Sequence, residues 1–176
     1  AHYRWIGAKR ALLAAASPPP LALADGAILP YLGGGLALQV VPRTPASCRR
    51  EHDRLVVHAP GNDAVRRVLE IWWRREAARH FAARIAHYAA HVGRTPRRIS
   101  VRAQRRRWGS CTSGGTVSLN WRLMQATPEI VDYVIVHELC HLLVPNHSPR
   151  FWAEVARVLP DWRERRQALR RFQPVW

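Results

Sequence analysis

A chain of 176 residues with 48% hydrophobic content is long enough to bury a core and too apolar for an intrinsically disordered segment. Its formal charge of +16 points to nucleic acid, an anionic surface or acidic substrates as partners, yet Lys9 is the sole lysine and the arginines are scattered without a recognisable binding motif. Three cysteines without C-x-x-C spacing exclude a disulfide scaffold and fit a reducing, cytoplasmic compartment, and no apolar run reaches the length of a membrane span.

Residues 1–25 lack sustained periodicity and contain Ser17-Pro18-Pro19-Pro20, which predicts an arm docked loosely through Trp5. Lys9-Arg10 followed by Ala11 to Ala16 imitates a secretory leader, but the proline run interrupts it too early. From Gly26 the pattern changes. Ala27 to Tyr31 and Leu36 to Val41 flank Gly33-Gly34-Gly35 and predict a hairpin; no helix start or lysine follows, so the glycines are not a phosphate cradle. Pro42 to Asp53 reads as a loop and Leu55 to His58 as a third strand, giving a small β unit over 26–60.

The remaining core is predicted over 61–172. A long helix runs from about Asp63 to His91 with Gly93 as its stop and Val65, Leu69, Trp72, Trp73, Phe81, Ile85 and Tyr88 as its apolar stripe. His87 and His91 on this helix have ligand-like spacing, but no third donor lies nearby in sequence and a surface role is the better reading. Three short strands follow, around Arg98 to Val101, Arg107 to Cys111 and Thr116 to Asn120. The last of these ends just before the next helix and offers an edge on which an extended peptide can pair its main chain. Trp108, Ser110, Leu119 and Asn120 are therefore candidate substrate contacts. Two further helices, from Pro149 and from Asp161, lead to a loose tail at 173–176.

The chemistry concentrates in Val136-His137-Glu138-Leu139-Cys140-His141, with His147 six residues on. Thr127-Pro128-Glu129 opens a helix there: a capping residue, a proline in the first turn and an acid at the positive end of the dipole. A helix turns 100° per residue, so His137 and His141 share a face one turn apart and both can reach one ion. Glu138 is rotated off that face, where it can accept a proton from a water and so serve as the general base of a hydrolase. Pro145 breaks the helix, allowing the chain to turn and bring His147 back as a third ligand of one Zn2+. Glu154 or Glu164, from a later helix, is the alternative third ligand. Asn120 and Tyr133 are candidates for stabilising an oxyanion, Cys140 reads as a small core residue, and Cys111 as a buried thiol near the cleft.

Taken together, Arg107-Trp108-Gly109-Ser110-Cys111, Leu119-Asn120-Trp121-Arg122-Leu123, His137-Glu138-Leu139-Cys140-His141 and Asn146-His147-Ser148-Pro149-Arg150-Phe151-Trp152 resemble the YgjP-like metallopeptidases, a family related to SprT-like and WLM zincin proteases. The resemblance covers roughly 26–169. It implies His137, His141 and His147 as zinc ligands, Glu138 as general base and a peptide or protein substrate. A metzincin is disfavoured, because Val144 stands where those enzymes carry glycine and the sole methionine, Met124, lies upstream of the motif. The expected fold is α+β and zincin-like: a short antiparallel sheet beside the long helix, the H-E-x-x-H helix beneath its edge, and the small N-terminal β unit. Three other readings stay open: a basic nucleic-acid module with structural zinc, a protease acting on DNA-bound proteins, and a metal hydrolase of a non-peptide amide or ester; nucleic-acid affinity that falls steeply with salt, without peptidase activity, would mark the first.

Overall fold

The computed structural model describes residues 23–104 and 106–176. The predicted arm with Trp5 and the leader-like run therefore lie outside the described residues. Strands β1 (Ile28–Tyr31), β2 (Gly34–Val41), β3 (Ser47–Glu51) and β4 (Arg54–His58) form one sheet in the order β1-β2-β4-β3. Helix α1 (Asn62–Val92) crosses the molecule and ends at Gly93, whose φ of 78° suits a residue without a side chain. A second sheet, β5 (Arg98–Arg102), β6 (Gly109–Cys111) and β7 (Thr116–Asn120), has the order β5-β7-β6. A 3-10 turn at Trp121–Gln125 leads into α2 (Pro128–Cys140), α3 (Pro149–Val158) and α4 (Trp162–Arg171). The architecture is α+β, with two small sheets and four α-helices among the described residues.

Three expectations need correction. The sheet beside the long helix is mixed: β5 pairs parallel with β7 while β6 pairs antiparallel, and in the first sheet β2 and β4 are also parallel. Residues 42–53 contain the edge strand β3, whose Ser-Cys-Arg-Arg-Glu sequence has no apolar alternation because most of it faces water. Residues 173–176 are docked rather than loose. Val175 N–H donates to Gln125 Oε1 at 2.9 Å, Arg122 Nε donates to the Trp176 backbone oxygen at 2.8 Å, and the Trp176 ring lies edge-on to Trp121.

One hydrophobic core runs from Leu29, Leu38 and Val57 through Trp73, Phe81 and Ile85 to Val136, Leu139 and Phe151. Trp73 and Trp121 stack at 6.3 Å in its centre. The hairpin tip before β2 presses on the start of α2: Leu32 N–H donates to the Met124 carbonyl at 2.9 Å, and a side chain at Gly33 would meet the Pro128 ring at 3.4 Å. Across the helix, Arg84 of α1 holds Asp132 of α2 with two hydrogen bonds of 2.7 Å, and Tyr88 Oη adds a third at 2.9 Å. Bidentate guanidinium–carboxylate geometry fixes orientation as well as distance, so α2 is locked in rotation on the body of the protein.

Candidate active site

Packing dictates which face of α2 is open. Val131, Ile135, Val136 and Leu139 are fully buried, whereas His137 and His141 are only partly covered. Thr127 caps the helix start without a side-chain hydrogen bond, with Pro128 in the first turn and Glu129 at the positive end of the dipole. At the other end the helix stops at Cys140 and His141 occupies the cap, four residues before Pro145, with the following turns closed by Leu142 N–H to Leu139 and Leu143 N–H to Cys140. The chain then reverses through Pro145 and delivers His147 to the front of α2.

His137, His141 and His147 each present a ring nitrogen, and these atoms lie within 4.8 Å of one another. The Nε2 atoms of His137 and His147 face each other at 3.0 Å. His141 Nδ1 sits 3.1 Å from the Val144 carbonyl. A carbonyl only accepts, so Nδ1 carries the proton and Nε2 keeps its lone pair, the tautomer a metal requires. Burial, then the neighbouring His141, His147 and Arg166, push His137 down to about 3, so it is an uncharged donor at physiological pH. Its Nδ1 is buried without a partner among the described residues, leaving Nε2 as its working atom. Phe151 stacks on His141 at 4.5 Å and Trp152 on His147 at 5.7 Å, which holds the imidazoles in place from α3. Three converging imidazoles fit a zinc ion with a position left for water.

Glu138 lies behind this cluster, 6% exposed, and burial pushes its carboxyl up to about 7. It rests on Gly109 of β6: a Cβ there would stand 2.6 Å from Oε1, 2.7 Å from Cγ and 2.9 Å from Cδ of the glutamate. A glycine inside so short a strand signals a close approach, and that signal in the sequence went unused. The three histidines and Glu138 line a cavity of about 570 Å3 together with Arg107, Ser110, Cys111 and Pro145.

Other candidates fall elsewhere. Leu119 is fully buried, and β7 is the central strand of its sheet, so the strand edge beside the cavity belongs to β6. Asn120 bonds through Nδ2 to the carbonyls of Gln104 and Arg107 (2.7 and 3.2 Å) and through Oδ1 to Arg122 N–H. Its side chain thus ties down Gln104 and Arg107 and does not line the cavity of the histidines. Trp108 packs against Phe172 at 5.1 Å, and Tyr133 lies 5.9 Å from His137. Glu154 pairs with Arg157 and Glu164 faces a separate surface hollow, so neither joins the histidine cluster. His91 Nδ1 meets the His87 carbonyl at 3.0 Å, on the exposed side of α1. Cys140 is buried, Cys111 borders the cavity with its thiol on the Thr112 carbonyl, and both thiols are free.

The model of the YgjP-like metallopeptidase domain matches residues 1–172. The chain belongs to the YgjP-like metallopeptidase family. No curated protein matches this family member. Among solved structures, the metallopeptidase zymogen of Pyrococcus abyssi abylysin is 24% identical to it, covering 52% of this chain and 90% of that one with a TM-score of 0.46. The metallopeptidase zymogen of Methanocaldococcus jannaschii jannalysin is 17% identical, with coverage of 52% and 94% and a TM-score of 0.46. Among the described residues of this YgjP-like protein, no helix is long and apolar enough to cross a membrane.

Proposed function

We propose that this metallopeptidase is a zincin that hydrolyses peptide bonds in peptide or protein substrates, with one Zn2+ held by His137, His141 and His147 and with Glu138 as general base. The observation that carries the reading is the convergence of three imidazole nitrogens within 4.8 Å beside a buried carboxylate. Bound there, zinc would supply Lewis acidity, making a water more acidic and polarising the scissile carbonyl. Glu138 takes a proton from the attacking water and returns it to the leaving amine. In the zinc-free chain burial holds its carboxyl near 7, and a bound cation would lower that value and favour the proton-accepting carboxylate.

The substrate lies extended along β6, because this strand has β7 on one side only and its Gly109, Ser110 and Cys111 border the catalytic cavity. Main-chain pairing there would supply affinity without sequence demands and bring a carbonyl toward the histidines. Glu138→Gln keeps the shape of the side chain and removes its basicity. It should retain zinc at wild-type stoichiometry and lose activity on unfolded protein substrates by about 10²–10⁴-fold. Undiminished hydrolysis by the zinc-loaded variant would sink the assignment.

A further inference from the structure

A second, smaller cavity of about 190 Å3 lies against the same two residues, His137 and Glu138. Its walls are Trp108 from the segment leading into β6, Tyr133 and Val134 from α2, and Leu169 from α4. We propose that this cavity is a side-chain subsite that takes an uncharged apolar residue of the substrate immediately next to the scissile bond. The proposal rests on the peptidase reading above and names what that site selects.

Continuity carries the first step. His137, Glu138, Gly109 and Arg107 border both cavities, so a chain lying along β6 with its carbonyl at the histidines has a neighbouring side chain within reach of the smaller one. Size carries the second. Pockets that enclose whole small molecules span roughly 300–1,000 Å3, and this one is below that range, on the scale of a single side chain. Chemistry carries the third. Indole, phenol ring, isopropyl and isobutyl walls reward apolar surface, and a charged group would lose its hydration against them. Arg107 stands at the rim, and the charges of Arg166 and Arg170 reach Tyr133 from α4, so a lysine or arginine side chain is also repelled.

The walls are fixed before substrate arrives. Tyr133 and Val134 are each 3% exposed within α2. The Trp108 ring packs on Phe172, and its carbonyl accepts from Asn120 N–H at 2.8 Å. The Asn120 amide holds the carbonyls of Gln104 and Arg107 just ahead of this wall. Leu169 is half-buried and belongs to neither the histidine cluster nor the helix that carries it, which makes it the position where the cavity's depth can be changed.

The test uses the zinc-loaded full chain and a peptide series in which the residues flanking the cleaved bond are varied one at a time. At one flanking position Leu or Met should exceed both Gly and Lys in kcat/KM by at least about tenfold. Leu169→Trp should fill the cavity and move the preference to Gly and Ala, and Leu169→Ala should move it toward Phe. Zinc content serves as the check that each variant is folded. Cleavage by the wild-type chain with no preference at either flanking position overturns the subsite while leaving the peptidase reading standing, as does an unchanged preference in zinc-loaded Leu169→Trp. A zinc-loaded wild-type chain that cleaves none of the peptides or an unfolded protein overturns the peptidase reading, and the subsite with it.

Discussion

The two faces of α2 are built on opposite terms. On the back, Ile135, Val136 and Leu139 are fully buried, and Asp132 has its carboxylate met by Arg84 and Tyr88. On the front, His137 Nδ1 is buried without a partner among the described residues, and on the flank of that face Glu138 is held by burial well above the usual carboxylate range. The contrast shows where the helix gains stability and where it gives some up. Apolar contacts and a satisfied ion pair hold the back rigid, and that rigidity lets the front keep polar groups in environments they would not choose alone.

Substitutions on the front should therefore damage chemistry and those on the back should damage stability. The largest effect is expected from His141→Ala, which removes one of three donors: zinc affinity should fall by orders of magnitude, read by metal competition, while the helix stays folded. Gly109→Ala tests the front from outside the helix. The added methyl cannot coexist with Glu138 in its present position, so kcat should drop by about 10²-fold with zinc content unchanged. Equal kcat in the two proteins would mean that the contact with β6 does not position the base.

On the back, Asp132→Ala leaves Arg84 without its carboxylate. Removing one partner of a buried pair costs about 3–5 kcal/mol, and because Arg84 is one-third exposed we expect about 2–3 kcal/mol, measured by urea unfolding. The residual activity of the folded fraction should be close to wild type. A comparable effect depends on pH. In the zinc-free chain the folded Glu138 binds its proton more tightly than the unfolded chain does, so its stabilising contribution is full below about pH 4.5 and lost as pH rises through 7. Glu138→Gln removes that loss. The zinc-free variant should match wild type at pH 4 and exceed it by up to about 3 kcal/mol at pH 8. His137 acts in the opposite sense, since its lowered value favours the unfolded chain as pH falls below 6.5, and it is common to both proteins, so it cancels in the comparison.

What was legible in the sequence was whatever depends on short spacing. His137 and His141 are one helical turn apart whatever surrounds them, and Pro145 forces a reversal wherever it stands, so the histidine cluster could be read from residue offsets. Gly93 as the stop of α1 is of the same kind. Contacts that join distant segments were not legible. Arg84 and Asp132 are 48 residues apart, and nothing in either helix's periodicity pairs them. The parallel pairings of β2 with β4 and of β5 with β7 depend on crossovers, which leave no mark in the alternation of a strand. For the same reason the sequence does not reveal that β7 is central and β6 an edge: the order of three strands in a sheet is not contained in their order along the chain. Leu169 was simply one apolar residue in an arginine-rich helix until α4 brought it beside Trp108.

The early end of α2 has a consequence for how exchangeable its last turn is. Because the ladder stops at Cys140, the carbonyl of Val144 is outside any helix and is free to orient His141; in a helix that ran on, that oxygen would be turned toward the next amide. The proton of the His141 imidazole is thus assigned by a main-chain atom, which no side-chain replacement at residue 144 can delete. Evolution can vary the side chain at that position for packing without touching the tautomer, whereas a change in the length of the turn would disturb both at once.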